Sequence, residues 1–148
     1  MSKFIQALLS GVFFTFILDF FLFLGIKQNY IDTKEIPVYY NILFADNQNI
    51  FIFLIFSILI GYLTIYISNK TTIVIIGVMF MLTFSTLIPS IGESVGSLIL
   101  QKKDVTIKNT KYTYHGDIYY IGRNTLYMYD YRFKKVLYLD KQTIKGEY

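Results

Sequence analysis

Residues 13–27 read FFTFILDFFLFLGIK, and the first charge met in this run is a carboxylate, Asp19. The run belongs to a longer one, residues 4–26, which Asp19 alone interrupts. At about 1.5 Å per residue, such a helix exceeds the ~30 Å thickness of a hydrocarbon core. Its apolar stretch is longer than the roughly 7–15 residues of a signal peptide, and no small-residue cleavage motif follows. It reads as a retained transmembrane helix.

Two further runs repeat the pattern. Residues 50–67, IFIFLIFSILIGYLTIYI, carry no charge. From residue 73 the chain stays largely apolar to residue 100, more than one straight span needs, and Pro89 must break or kink it. The expected spans are 4–26, 50–67 and 73–91. Residues 92–100 either continue a kinked helix or form a short one at the membrane interface. Residues 27–49 are expected as a surface loop whose apolar middle, with Tyr39 and Tyr40, lies along the membrane. The SNKTT link at 68–72 makes a hairpin of the second and third spans.

Composition agrees with a membrane chain. Of 148 residues 54% are hydrophobic and 16% charged, against roughly 25% charged in soluble proteins. The net charge of +4 is unevenly placed: residues 1–100 sum to −1 and residues 101–148 to +5. Thirteen of 14 Phe precede residue 101, and nine of 14 Tyr follow it. Phe suits hydrocarbon, whereas Tyr suits a surface wet on one side. The chain therefore divides into a transmembrane domain, 1–100, and a soluble module, 101–148. Cys is absent, which excludes disulfides and thiol chemistry.

Each expected span carries small or polar residues at helical spacing. They are Gly11, Thr15 and Asp19 in the first; Ser57, Gly61, Thr64 and Ser68 in the second; Thr83, Thr86, Ser90, Glu93 and Ser97 in the third, if it continues past Pro89. Gly92 and Gly96 add a close-contact spacing. Such stripes are the ordinary means of helix packing in lipid; the sharper alternative is a polar path. An ionised Asp near the bilayer centre costs about 2.5–3.5 kcal/mol, and no span offers a basic partner. The expectation is a neutral Asp19 hydrogen-bonded to a Ser or Thr of a neighbouring helix, with Glu93 at the interface beside Lys102 or Lys103.

Residues 101–148 read as β, from short runs of β-branched and aromatic residues between turn signals. Strands are expected at 105–108, 111–114, 118–121, 126–131 and 136–139, with turns at NT, HGD, GRNT and RFKK. In LYMYDY the alternation puts Tyr127, Tyr129 and Tyr131 on one face, and Leu126 and Met128 on the other. The fold class is α+β: three transmembrane helices, then a small antiparallel β-rich module. At 48 residues the module is marginal alone and should lean on the membrane, a partner or another copy. His115 is the only His and reads as a turn residue.

No constellation of nucleophile, base and metal ligands is present, so neither an enzyme nor a cofactor is expected. Tyr-plus-basic surfaces can bind nucleic acid, but cross-strand Tyr pairs and solvated turn charges explain this one better. Lys102 and Lys103 are placed to meet anionic headgroups. The expected function is a small inner-membrane accessory protein of scaffold or immunity type. It presents its module to a membrane or envelope protein. The alternative is a homo-oligomeric channel using Asp19 and the hydroxyl-lined faces. Basic residues near the span ends favour the side holding 27–49 and the module as cytoplasmic.

Overall fold

The computed structural model describes residues 2–109 and 112–145. Among them are five α-helices, α1 (Lys3–Ile26), α2 (Tyr40–Asn47), α3 (Ile50–Tyr66), α4 (Asn69–Ser85) and α5 (Pro89–Leu100). Five strands follow: β1 (Lys102–Asn109), β2 (Thr113–Ile121), β3 (Thr125–Asp130), β4 (Lys135–Asp140) and β5 (Ile144–Lys145). The chain is thus α+β, helices first and sheet second.

α1 starts where the Ser2 hydroxyl accepts the Ile5 N–H, satisfying one of the free donors of a first turn. It does not stop at Ile26. A π-helical turn (Lys27–Ile31) and a 3-10 turn (Asp32–Lys34) prolong it until Glu35 turns left-handed at φ 56°. The segment expected as a surface loop, 27–49, is therefore helical at both ends, with only a short extended stretch before α2. This continuous rod of 32 residues is the one helix among the described residues long and apolar enough to cross a membrane by itself. α3 and α4 have 17 residues each, about 25 Å. They reach that length only as bent pairs, α2 with α3 at 86° and α4 with α5 at 91°. The third run breaks earlier than the expected residue 91, after Ser85. Pro89 then occupies the first turn of α5, where its missing N–H has no intrahelical partner to lose.

α1 and α3 run antiparallel on small residues. A Cβ on Gly11 would lie 1.8 Å from the Ser57 carbonyl oxygen, and one on Gly61 would lie 2.1 Å from that of Ala7. α4 packs on α1 through aromatic rings, Phe14 edge-on to Phe80 at 6.5 Å and Phe21 tilted against Phe84 at 4.3 Å. α2 folds back on α1 through Phe44, whose ring meets Phe16 and Phe23. The glycines of α5 seat the rod: Gly92 faces Asn29 and Gly96 faces the Tyr30 ring.

The strands form one antiparallel sheet of order β4-β3-β2-β1-β5. β4 and β5 are its opposite edges, yet only a three-residue 3-10 turn, Lys141–Thr143, joins them. The sheet must therefore roll up, and its concave face closes on Ile107, Ile118, Leu126, Met128, Leu139 and Ile144. The opposite face sends Tyr120 and Tyr127 into a cluster with Phe23, Ile26, Tyr30, Leu43 and Leu100 of the helices. The alternation in LYMYDY holds: Leu126 and Met128 enter one core, and Tyr127 the other. Residues 111–114 and 118–121 are not two strands around an HGD turn. They are parts of β2, which runs unbroken through His115, Gly116 and Asp117. Gly116 is there because the Tyr129 carbonyl oxygen would lie 1.9 Å from any Cβ. Of the NT turn, Thr110 lies outside the described residues, as does Lys111. β5 was not expected; two residues are too few to give an alternation.

Candidate functional site

The small and polar residues of the helices do not gather along one path. Gly11, Ser57 and Gly61 form the α1–α3 contact. Thr64 turns its hydroxyl back to the Ile60 carbonyl, and Thr83 turns its own to Phe80 and Met79. Thr86 is buried where α4 ends. Its hydroxyl donates to the Thr83 carbonyl at 2.6 Å, and its own carbonyl accepts from the Asn29 amide at 2.9 Å. Ser90 is exposed in the first turn of α5 and belongs to no stripe, because the helix breaks before it.

What does gather is a cleft of about 260 Å³ between α1, α3 and α4, lined by Thr15, Asp19, Ile52, Phe56, Leu82 and Thr83 among others. Among the described residues, the buried hydroxyls of Thr15 on α1 and Ser57 on α3 have no hydrogen-bond partner. Asp19 accepts a 3.0 Å hydrogen bond from the side-chain amide of Gln48. The expected Ser or Thr partner on a neighbouring helix is thus replaced by an amide at the break between α2 and α3. Sequence reasoning missed Gln48, although its place in ADNQN, just before an apolar run, marked it as a helix-end polar residue. α3 begins at the level of Asp19, so the carboxyl sits at the end of the α1–α3–α4 bundle rather than in its middle. Asp19→Asn, which keeps an acceptor for Gln48, should melt like the wild type in detergent. Asp19→Leu should lose about 0.6 kcal/mol, the average for hydrogen bonds between membrane helices. Equal damage from both would contradict this pairing.

Glu93 pairs with Lys34 at 2.9 Å, not with Lys102 or Lys103 as expected. Both of those lysines are exposed at the start of β1. The same Lys34 ammonium lies over the Tyr30 and Tyr119 rings, at 5.7 and 5.3 Å. A second ion pair ties the helices to the sheet: Arg123, in the β2–β3 turn, donates to Asp46 of α2 at 2.6 Å. Tyr30 adds a hydrogen bond from its hydroxyl to the Tyr119 carbonyl, 3.1 Å.

On the sheet, two carboxylates organise backbone. Asp130 is almost fully buried. It accepts the N–H of Arg132 at 2.8 Å, of Phe133 at 3.0 Å and of His115 at 3.4 Å. Burial pushes its carboxyl up, but these donors outweigh burial and hold it below the usual range. Asp117 behaves likewise. Burial raises it, while the Tyr131 hydroxyl, the Asp104 N–H, the Gln101 amide and the Lys103 charge together lower it further. The His115 ring reaches from β2 to β1, with Nδ1 to the Thr106 hydroxyl at 3.0 Å and Nε2 to Asp104 at 3.2 Å. It is a strand residue, not a turn residue.

A depressed native pKa stabilises the fold fully above the unfolded value of about 3.9 and ceases to do so as pH falls through the native value. Melting temperature should therefore fall with acidification below about pH 4. Asp130→Asn should weaken that dependence without abolishing it, because Asp117 remains. Thermal melts from pH 2.5 to 6 check this, and an unchanged acid limb in Asp130→Asn would contradict it.

Comparison with protein-family models, curated proteins and solved structures gives no match for this chain.

Proposed function

We propose that this chain is a polytopic membrane protein of accessory type, which holds a β-module at the membrane surface for a protein partner. The carrying observation is the shared core. Tyr120 and Tyr127 of the sheet are buried among Phe23, Ile26, Tyr30 and Leu100, so the module is packed onto the helices rather than tethered to them. In this reading α1, α3 and α4 cross the bilayer, while α2 and α5, bent near a right angle at the same end, lie along its surface. Exposed Phe51, Ile58, Ile73 and Met81 support it, since an apolar surface of that extent is otherwise an interaction site. In this reading the module is cytoplasmic and the membrane is the inner one, and the distribution of Lys near the span ends supports that orientation. Tyr112 and Phe133 of the module are exposed and offer apolar surface to such a partner.

Photo-crosslinking groups at Tyr112 and Phe133 in native membranes test the proposal, with Ile58 as a helix control. The expected products are protein adducts from the module positions and lipid adducts from Ile58. Lipid adducts alone at every position would remove the partner. An ion flux in proteoliposomes, lost in Asp19→Asn, would instead put the homo-oligomeric channel first.

A further inference from the structure

We infer that the crevice between the overhanging edge of the sheet and the helix-end loop at 34–37 binds the anionic headgroup of a phospholipid. The inference rests on the membrane reading above and gives that surface a ligand. The crevice measures about 610 Å³, within the range of small-molecule sites. Lys34, Lys134 and Lys135 line it with Tyr129 and Tyr138, against a single carboxylate, Glu35. With Lys34 paired to Glu93, the two remaining lysines, Lys134 and Lys135, still outnumber Glu35, which favours an anion.

The lysines are held in place by different means. Lys34 is fixed by Glu93 and by the Tyr30 and Tyr119 rings. Lys134 and Lys135 make no ion pair among the described residues. Their position is set by the β3–β4 turn, built on buried Asp130. Its carboxylate takes two N–H groups of the turn, and its carbonyl accepts the Lys134 N–H at 2.8 Å. Lys134 itself is held left-handed at φ 52°. The two free charges are therefore presented to the crevice by a fixed backbone, which lowers the ordering cost of binding.

Location selects the source of the anion. The far wall of the crevice leaves the end of the rod at Lys34 and returns to Tyr40, whose hydroxyl donates to the Phe20 carbonyl at 3.2 Å. The wall thus descends to the bundle end, beside exposed Tyr39. Tyr is enriched at that depth of a membrane, and basic residues there attract anionic lipid. A headgroup phosphate would meet lysine ammoniums and tyrosine hydroxyls, while its acyl chains stay with the bilayer.

The test is native mass spectrometry of the full-length protein in neutral detergent. It is titrated with phosphatidylglycerol or with phosphatidylcholine of the same chains. Wild type should retain phosphatidylglycerol preferentially. K134Q/K135Q, which leaves the backbone bonds of the turn in place, should reduce that preference on the order of 10-fold or more. K108Q, an exposed lysine of β1 outside the crevice, should leave it unchanged. An undiminished preference in K134Q/K135Q, or an equal loss in K108Q, overturns the site. So does binding of a glutamate-rich peptide, but not of the lipid, that depends on Lys134 and Lys135, or displacement of the lipid by millimolar inorganic phosphate. Alkaline carbonate extraction of the same variants separates the two readings. Wild type released by carbonate would defeat the membrane reading. Protein that stays in the membrane without a lipid preference would defeat the crevice alone.

Discussion

Gly11→Val should cost the protein its α1–α3 pairing. The new Cβ would fall 1.8 Å from the Ser57 carbonyl oxygen and 2.9 Å from the Gly61 nitrogen. Both are backbone atoms of a helix, which cannot turn aside as a flexible side chain can. The helices must separate. That forfeits the contact of the helix ladder around Ala7, Gly11, Ser57 and Gly61, where close approach is the main attraction available in lipid. Over-packing a core costs about 1–3 kcal/mol, and more where backbone is struck. Gly61→Val should act alike from the other side, since its Cβ meets the Ala7 carbonyl oxygen at 2.1 Å. Gly77→Ala is the control: nothing lies within 4 Å of its Cβ, and alanine favours helix. Thermal melting and size exclusion in detergent read the result. A Gly11→Val protein that melts with the wild type would show that α1 and α3 do not meet as described.

Tyr30→Ala should be the most damaging change at the joint between helices and sheet. Tyr30 is fully buried in the shared cluster. Its ring fills the space left by Gly96, and its hydroxyl reaches the Tyr119 carbonyl. Removing a large buried aromatic side chain costs about 3–5 kcal/mol, part of it for the cavity left behind. Tyr30→Phe keeps the ring and loses one hydrogen bond, about 1 kcal/mol. Proteolysis near Gln101 should accelerate strongly in Tyr30→Ala and only slightly in Tyr30→Phe. Equal protection in both would mean that the sheet does not depend on this contact.

Much of this architecture was legible in the chain because hydrophobic patterning is local. The long run ending at Ile26 and the charge-free run before Tyr66 announce helices by length and apolarity, and the alternation from Leu126 to Asp130 announces a strand by its period. Helix ends were less legible. Nothing in KQNYID says that α1 continues as π and 3-10 turns, because those turns are held by Tyr30 and Asn29 against α5. The HGD sequence looks like a turn because Gly and Asp are turn residues. In place, Gly116 answers a close backbone approach from β3, and Asp117 collects donors from three segments. The partner of Asp19 was hidden for the same reason: Gln48 lies 29 residues away and meets it only when α2 folds back on α1. Glu93 and Lys34, 59 residues apart, are joined by the break before Pro89, which turns α5 toward the rod. Alternation and length are written in neighbouring residues, whereas ion pairs and hydrogen bonds across the fold depend on where the helices bend.

The central claim is that α1, α3 and α4 cross a bilayer, with the α3–α4 link on one side and the sheet on the other. A chain without cysteine allows a direct measurement: single variants Ser2→Cys, Lys70→Cys and Lys103→Cys, labelled in sealed vesicles with a membrane-impermeant maleimide before and after permeabilisation. Ser2→Cys and Lys70→Cys should react together, and Lys103→Cys only under the opposite condition. Equal labelling of all three in sealed vesicles would contradict the three-span account.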